Sequence, residues 1–298
     1  MKKLMAILLV VVLCIGFCAC GRESGEYRLS VGVALSEDIE GINLTGTSAA
    51  VVTDREGRVV LCRLDSAEVD AELTDKGIVG KAADKTKVEL GDAYGMVEKG
   101  GAISEWYKQA EFFEKYIVGK TIVEIEKIKT ADADLVSGCT IDVTDFIRAV
   151  SAAIKSDKRV EFDAEEDISA GLSIVFSSTA DKDGNAEFLY DTAAVAVSGG
   201  KVVASFIDSA EATVTLKDGK GYTFVYSGTK NELGAKYGMV EKGGAISEWF
   251  EQARSYGASA VGKTPEELSS LATENVSGCT IDAEPLKAAL LRAAENLR

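Results

Sequence analysis

Apolar positions along this chain fall into two rhythms, and both rhythms are written twice. Alternating or near-continuous apolar segments rich in β-branched residues predict strands over 28–34, 48–53 and 58–65, and again over 171–177, 186–197 and 201–208. The dipeptides Glu56-Gly57, Asp183-Gly184, Gly199-Gly200 and Asp218-Gly219 supply tight turns, so the front of each half reads as an antiparallel meander. The period then lengthens from strand-like to helical. Trp106, Ala110, Phe113 and Ile117 form an i, i+4, i+7, i+11 stripe, matched by Trp249, Ala253, Tyr256 and Ala260, which is the face of a helix laid on a sheet. A closing helix follows in each half. One opens at Asp142, with Asp145 three residues on, and buries Phe146, Ala149, Val150, Ala153 and Ile154; the other opens at Asp282 and buries Leu286, Ala289, Leu290 and Ala293. Pro285 falls in a first helical turn, where a missing amide hydrogen is tolerated.

The doubling extends to the letters. The thirteen residues 94–106, Tyr-Gly-Met-Val-Glu-Lys-Gly-Gly-Ala-Ile-Ser-Glu-Trp, return unchanged at 237–249, a spacing of 143. Asp65-Ser66-Ala67-Glu68 and Val118-Gly119-Lys120-Thr121 have partners at the same offset, whereas the block 136–142 recurs at 276–282 with an offset of 140, so a loop is three residues shorter. That period is too long for a solenoid turn and close to a domain. The chain therefore divides into a first unit at 28–157 and a second at 158–298, with the charged stretch 156–167 at their boundary. The expected class is α+β, two similar domains, each an antiparallel sheet with packed helices.

Ahead of the first unit, Lys2 and Lys3 precede an apolar run at 4–17 and then Ala19-Cys20-Gly21. The run is too short to span a bilayer and reads as a signal peptide over 1–19. Ala19 is the small residue a signal peptidase wants before its cut, which selects Cys20 over Cys18 as the first mature residue. This stretch resembles a bacterial lipobox, which implies a diacylglycerol on Cys20, a tether over 20–27 and a mature chain on the outer face of the cell membrane. The formal charge of −15 becomes about −17 once Lys2 and Lys3 are removed. Such a surface makes nucleic acid an unsuitable partner and leaves membrane attachment to the lipid chains.

The absence of histidine removes Ser-His and Cys-His nucleophiles, histidine-bound zinc or haem, and any imidazole base. Past Cys20 only Cys62, Cys139 and Cys279 remain, an odd number without a Cys-x-x-Cys pair, and they read as small core residues. Asp181-Lys182-Asp183-Gly184-Asn185 begins like a calcium loop but has its glycine two places early, and it reads as a hairpin turn. The acidic stretch 161–167 reads as a solvated linker.

One repeated loop carries candidate chemistry. Ser137-Gly138-Cys139-Thr140 and Ser277-Gly278-Cys279-Thr280 sit just before a helix N-terminus, where free amides and the helix dipole favour an anion such as a phosphate, and the threonine adds a hydroxyl. The glycine-rich loop with Tyr94, Met96, Gly100 and Gly101, copied at Tyr237, Gly243 and Gly244, offers an aromatic ring and a thioether to a flat ligand, or is a loop held by a core tyrosine. Trp106 and Trp249 read as core.

Asp134-Leu135-Val136-Ser137-Gly138-Cys139-Thr140 resembles the Asp-x-x-Ser-Gly-Ala-Thr signature of the FMN-binding domains found in flavin subunits of sodium-pumping quinone reductases and Rnf complexes and in many lipoproteins. Cysteine stands for alanine here, and in the second unit Glu274 also stands for the leading aspartate. The resemblance implies FMN esterified through its phosphate to Thr140, and to Thr280 in the second unit, by a separate magnesium-dependent flavin transferase. It places Asp134, Ser137 and Gly138, with Ser277 and Gly278, in the recognised sequence. It implies electron transfer with a membrane redox partner. The other reading is a cofactor-free binding or scaffolding lipoprotein built on the same fold.

Overall fold

A computed structural model describes residues 25–38, 43–74, 77–82, 84–180, 185–217 and 221–298. The signal peptide, Cys20, most of the tether and the turns at Asp183-Gly184 and Asp218-Gly219 lie outside the described residues.

The first unit opens with β1 (Gly25–Asp38), β2 (Asn43–Thr53), β3 (Val59–Thr74) and β4 (Gly77–Ala82), each antiparallel to the last. Short helices α1 (Lys87–Leu90) and α2 (Met96–Gly100) then flank a 3₁₀ turn at Gly91–Tyr94. After them come α3 (Trp106–Tyr116), two single turns, α4 (Ile122–Ile125) and α5 (Ala133–Val136), and the closing helix α6 (Thr144–Lys155). A short strand β5 (Val160–Ala164) leads into the second unit, β6 (Ser169–Ala180), β7 (Ala186–Ser198), β8 (Lys201–Lys217), β9 (Gly221–Thr229), α7 (Lys230–Leu233), α8 (Trp249–Ala258) and α9 (Glu284–Glu295). The sheets have strand orders β4-β3-β2-β1-β5 and β6-β7-β8-β9.

β5 corrects the sequence-based picture of 161–167 as a solvated linker. Residues 160–164 pair antiparallel with β1 and bury Phe162, so this segment extends the first unit's sheet beyond the boundary drawn at 157. Its apolar residues, Val160 and Phe162, alternate with Glu161 and Asp163, a strand pattern hidden by the charge.

Both helical stripes face inward as expected. Trp106, Ala110, Phe113 and Ile117 are buried with β2 and β3 side chains in one core, and Trp249, Ala253, Tyr256 and Ala260 in its twin. Phe146, Ala149, Val150 and Ala153 of α6 and the four expected residues of α9 are buried as well, with Ile154 partly covered. The helix start differs by a residue or two. α6 begins at Thr144, and Asp142 caps it from outside, its carboxylate accepting from the Thr144 amide (2.8 Å) and hydroxyl (2.6 Å); Asp282 accepts from Glu284 N at 3.0 Å. An acceptor at either place satisfies a free first-turn amide.

The helices lie on the outer faces of the sheets, and the inner faces meet. Val33, Leu35, Leu44 and Val69 of the first unit pack against Ile174, Phe176, Phe188 and Tyr190 of the second, and a neighbouring cluster joins Leu29, Val31, Ala50 and Val52 to Leu172, Ala194, Ala196 and Phe206. The order of layers is helix, sheet, sheet, helix. Tyr190 illustrates the fit. Its ring rests on Gly46, where a Cβ would come within 2.0 Å, and its hydroxyl shares a 2.8 Å hydrogen bond with Ser48.

Candidate functional site

In the first unit, α5 anchors the loop. Leu135 is fully buried, the amides of Gly138 and Cys139 both return to the Leu135 carbonyl, and Ser137 Oγ donates to the Asp134 carbonyl at 2.8 Å. Cys139 points into the core, where burial pushes its thiol up to about 11, and Cys62 and Cys279 are also buried and shifted upward, so none of the three is an ionised thiolate at neutral pH. Asp134, Ser137, Thr140, Ser277, Gly278 and Thr280 are exposed, and Gly138 is half covered by the Phe112 ring. Both threonines are therefore exposed residues.

Gln109, buried on α3, organises this surface. Its Oε1 accepts from Thr140 N (2.8 Å), Thr140 Oγ1 (3.2 Å) and Ile141 N (3.3 Å), while its Nε2 donates to the Ser104 carbonyl (2.8 Å). Gln252 repeats the arrangement with Thr280 N (2.7 Å), Thr280 Oγ1 (3.0 Å), Ile281 N (3.2 Å) and Ser247 O (2.9 Å). Several of the amides expected to be free for an anion are already bonded. Thr140 N and Ile141 N go to Gln109, Val143 N to Thr130 Oγ1 and Thr144 N to Asp142, so side chains satisfy these four.

The two loops are not copies in detail. Residues 273–276 lack the helical turn of α5, Asn275 takes φ 56° where Leu135 is helical and buried, and Gly278 has φ 76°. Ser255 approaches Gly278 where Phe112 covers Gly138.

The carboxamide of Gln109 bridges the threonine loop to the glycine-rich loop, and Glu105 continues the link, accepting from Met96 N (2.8 Å) and Val97 N (3.1 Å). Tyr94 and Met96 are half-buried against the core. The Tyr94 hydroxyl donates to Glu68 (3.1 Å), and Lys87 Nζ lies 5.0 Å from the Tyr94 ring and 5.5 Å from that of Trp106; Lys230, Glu211, Tyr237 and Trp249 repeat the set. Trp106 and Trp249 are buried, as expected of core.

Beneath each set lies a buried acid that the sequence showed only as part of a repeated block. Asp65 accepts from Ser66 N (2.7 Å) and Val88 N (3.1 Å), and Asp208 from Ser209 N (2.8 Å) and Asn231 N (3.1 Å). Burial raises both to about 7 despite these amides. Among the described residues no group of three or more metal-ligating side chains converges, and no helix is long and apolar enough to cross a membrane.

Fold and loop geometry define a class: a twinned α+β protein whose two units each carry an exposed threonine on a glutamine-braced loop. Comparison with known proteins adds a partial relative. A stretch of 98 residues is 33% identical to a chlorophenol reductase of Desulfitobacterium hafniense, covering 28% of this chain and 30% of that protein, so the shared part is less than a third of either. No family model matches the chain, and no solved structure matches it.

Proposed function

We propose that this protein is an extracytoplasmic lipoprotein, anchored through Cys20, that carries FMN esterified to Thr140 and transfers electrons between a membrane redox partner and an acceptor. The observation that carries the reading is Thr140, an exposed residue at the end of an Asp-x-x-Ser-Gly-Cys-Thr loop. A phosphodiester requires a hydroxyl that a flavin transferase can reach and no cradle of amides, which fits a loop whose amides are internally satisfied. When bound, the flavin supplies the redox chemistry. The chain supplies position: Gln109 fixes the loop, and Tyr94 and Met96 offer half-buried surfaces on the loop bridged to it. The name of the partial relative, a reductase, belongs to the same class of chemistry. Thr280 is the second attachment residue, on a loop of altered backbone.

Intact mass and in-gel fluorescence of the protein from its native host test this reading. The expected result is a covalent flavin adduct that disappears from the first unit in Thr140→Ala. The altered backbone of the second unit's loop favours a second reading, a cofactor-free binding lipoprotein on the same fold. An unmodified, colourless protein from the native host decides for that one.

A further inference from the structure

The two longest stretches that the units share letter for letter, 94–106 with 237–249 and 136–142 with 276–282, meet in space. One carboxamide joins them in the first unit. Gln109 donates to the Ser104 carbonyl (2.8 Å) and accepts from Thr140 N (2.8 Å), and Gln252 does the same between Ser247 (2.9 Å) and Thr280 (2.7 Å). Ile103 and Ile246 are thus next in the chain to the residue that braces each threonine loop.

The needs of the fold account for only part of the longer stretch. Gly95, Gly101, Gly238 and Gly244 take φ between 63° and 86°, the Glu105 and Glu248 carboxylates accept from loop amides, and both tryptophans are buried. The rest faces outward. Val97 and Ile103 are 45% and 59% exposed, Val240 and Ile246 44% and 70%, and Glu98 and Lys99 have no hydrogen bond or ion pair among the described residues. On either side the units have diverged, at the surface and in the core. Asp92 and Ala93 become Ala235 and Lys236, Tyr107 and Lys108 become Phe250 and Glu251, and the buried Phe113 and Ile117 become Tyr256 and Ala260. Exposed side chains without internal partners tolerate substitution better than buried ones. Their identity in both units therefore points to one contact made twice from outside.

We propose that this surface, Val97 and Ile103 beside the threonine loop and their twins in the second unit, is where the flavin transferase docks. The inference rests on the flavin reading above and adds the partner's footprint to it. A phosphodiester forms when the threonine hydroxyl oxygen attacks the FMN phosphorus of a flavin dinucleotide such as FAD. The new P–O bond replaces the pyrophosphate bond, AMP leaves, and the hydroxyl proton goes to solvent. An enzyme that brings a dinucleotide to Thr140 covers the surface around that residue, and the Ile103-Ser104 end of the glycine-rich loop is braced to it. On so acidic a chain the patch has the make-up of a docking contact, aliphatic side chains flanked by one acid and one base, Glu98 and Lys99, whose charges cancel.

The full chain, made in a host without the transferase and incubated with the purified transferase of the native host, FAD and magnesium, tests this, with flavin on each threonine followed by peptide mass spectrometry. Ile103→Ser and Val97→Ser should each raise the KM for labelling Thr140 about tenfold with kcat unchanged, since an anchor of docking is lost and the chemistry is not. Ile246→Ser, in the other unit, should leave Thr140 labelled at the wild-type rate, which separates a local contact from an effect through the fold. Thr140 labelled equally fast in wild type, Ile103→Ser and Val97→Ser overturns the docking surface and leaves the flavin reading standing. A wild-type chain that takes up no flavin at Thr140 overturns that reading, and the docking surface with it.

Discussion

Asp65 and Asp208 hold the same place in the two units and meet the same conflict: backbone amides stabilise the charge while burial penalises it. Burial dominates, and both side chains titrate near 7 instead of 3.8. An acid whose pKa is higher folded than unfolded binds its proton more tightly in the fold. The fold is thus favoured below the unfolded value, and this contribution is lost as pH rises through about 7. At most it amounts to about 4 kcal/mol per site, by the free energy of a shift of about three pKa units. Urea unfolding at pH 5 and pH 8 should show higher stability at pH 5, and Asp208→Asn should flatten that difference relative to the wild type. A variant with the wild-type pH slope would show that the amides prevail. Neither acid was legible as special, because α1 and α7 close over the middle of β3 and β8 and both acids sat in a block noticed only for being repeated.

At the scale of elements, each closing helix lies so near its sheet that the strand beneath must yield. The two units solve this with a glycine and a serine in exchanged positions. Ser30 on β1 donates to the Ala153 carbonyl (2.7 Å) where the twin has Gly171 against Ala293, and Ser173 on β6 donates to Ala289 (2.8 Å) where the first unit has Gly32 against Ala149. A Cβ would lie 2.1 Å from the Ala149 carbonyl at Gly32 and 1.8 Å from that of Ala293 at Gly171. Gly32→Val and Gly171→Val are expected to lower stability by about 1–3 kcal/mol or more through overpacking, read as a lower urea midpoint with m unchanged. The stripes on α3, α6, α8 and α9 were legible because helical period and apolar residues coincide. The strands β4, β5 and β9 were not, and in β5 the apolar Val160, Phe162 and Ala164 are interleaved with acids. The capping role of Asp142 was legible, its exact place was not, since acceptors one residue apart satisfy the same amides.

For the whole molecule the governing fact is that the sheets are covered on both faces. This explains why β2 reads as a near-continuous apolar run: from Ala49 to Val52 every residue is fully buried, alternately under helices and against the other sheet. Two domains were legible from the repeat; that they share an interior was not, because an apolar run shows that both faces are buried without naming what covers each. A single cooperative unfolding transition is expected by calorimetry, and separately expressed segments 25–164 and 169–298 should be unable to remain monomeric and folded, as size-exclusion chromatography would show. Two independent transitions would contradict a shared interior. Tyr190→Ala should cost about 3–5 kcal/mol, since it empties the meeting point over Gly46.

Arg298, beyond α9, donates to Glu114 and to the Leu64 carbonyl of the first unit, and Lys158, beyond α6, lies 4.6 Å from the Phe250 ring of the second, a crossed reach that bears on how such units assemble. A polypeptide holding one such unit would offer a bare apolar sheet and a trailing cation with nowhere of its own to go, and a sister molecule turned half a revolution would answer both needs. A one-unit chain of this build is expected to assemble in pairs, and a fused one to carry its units in even numbers.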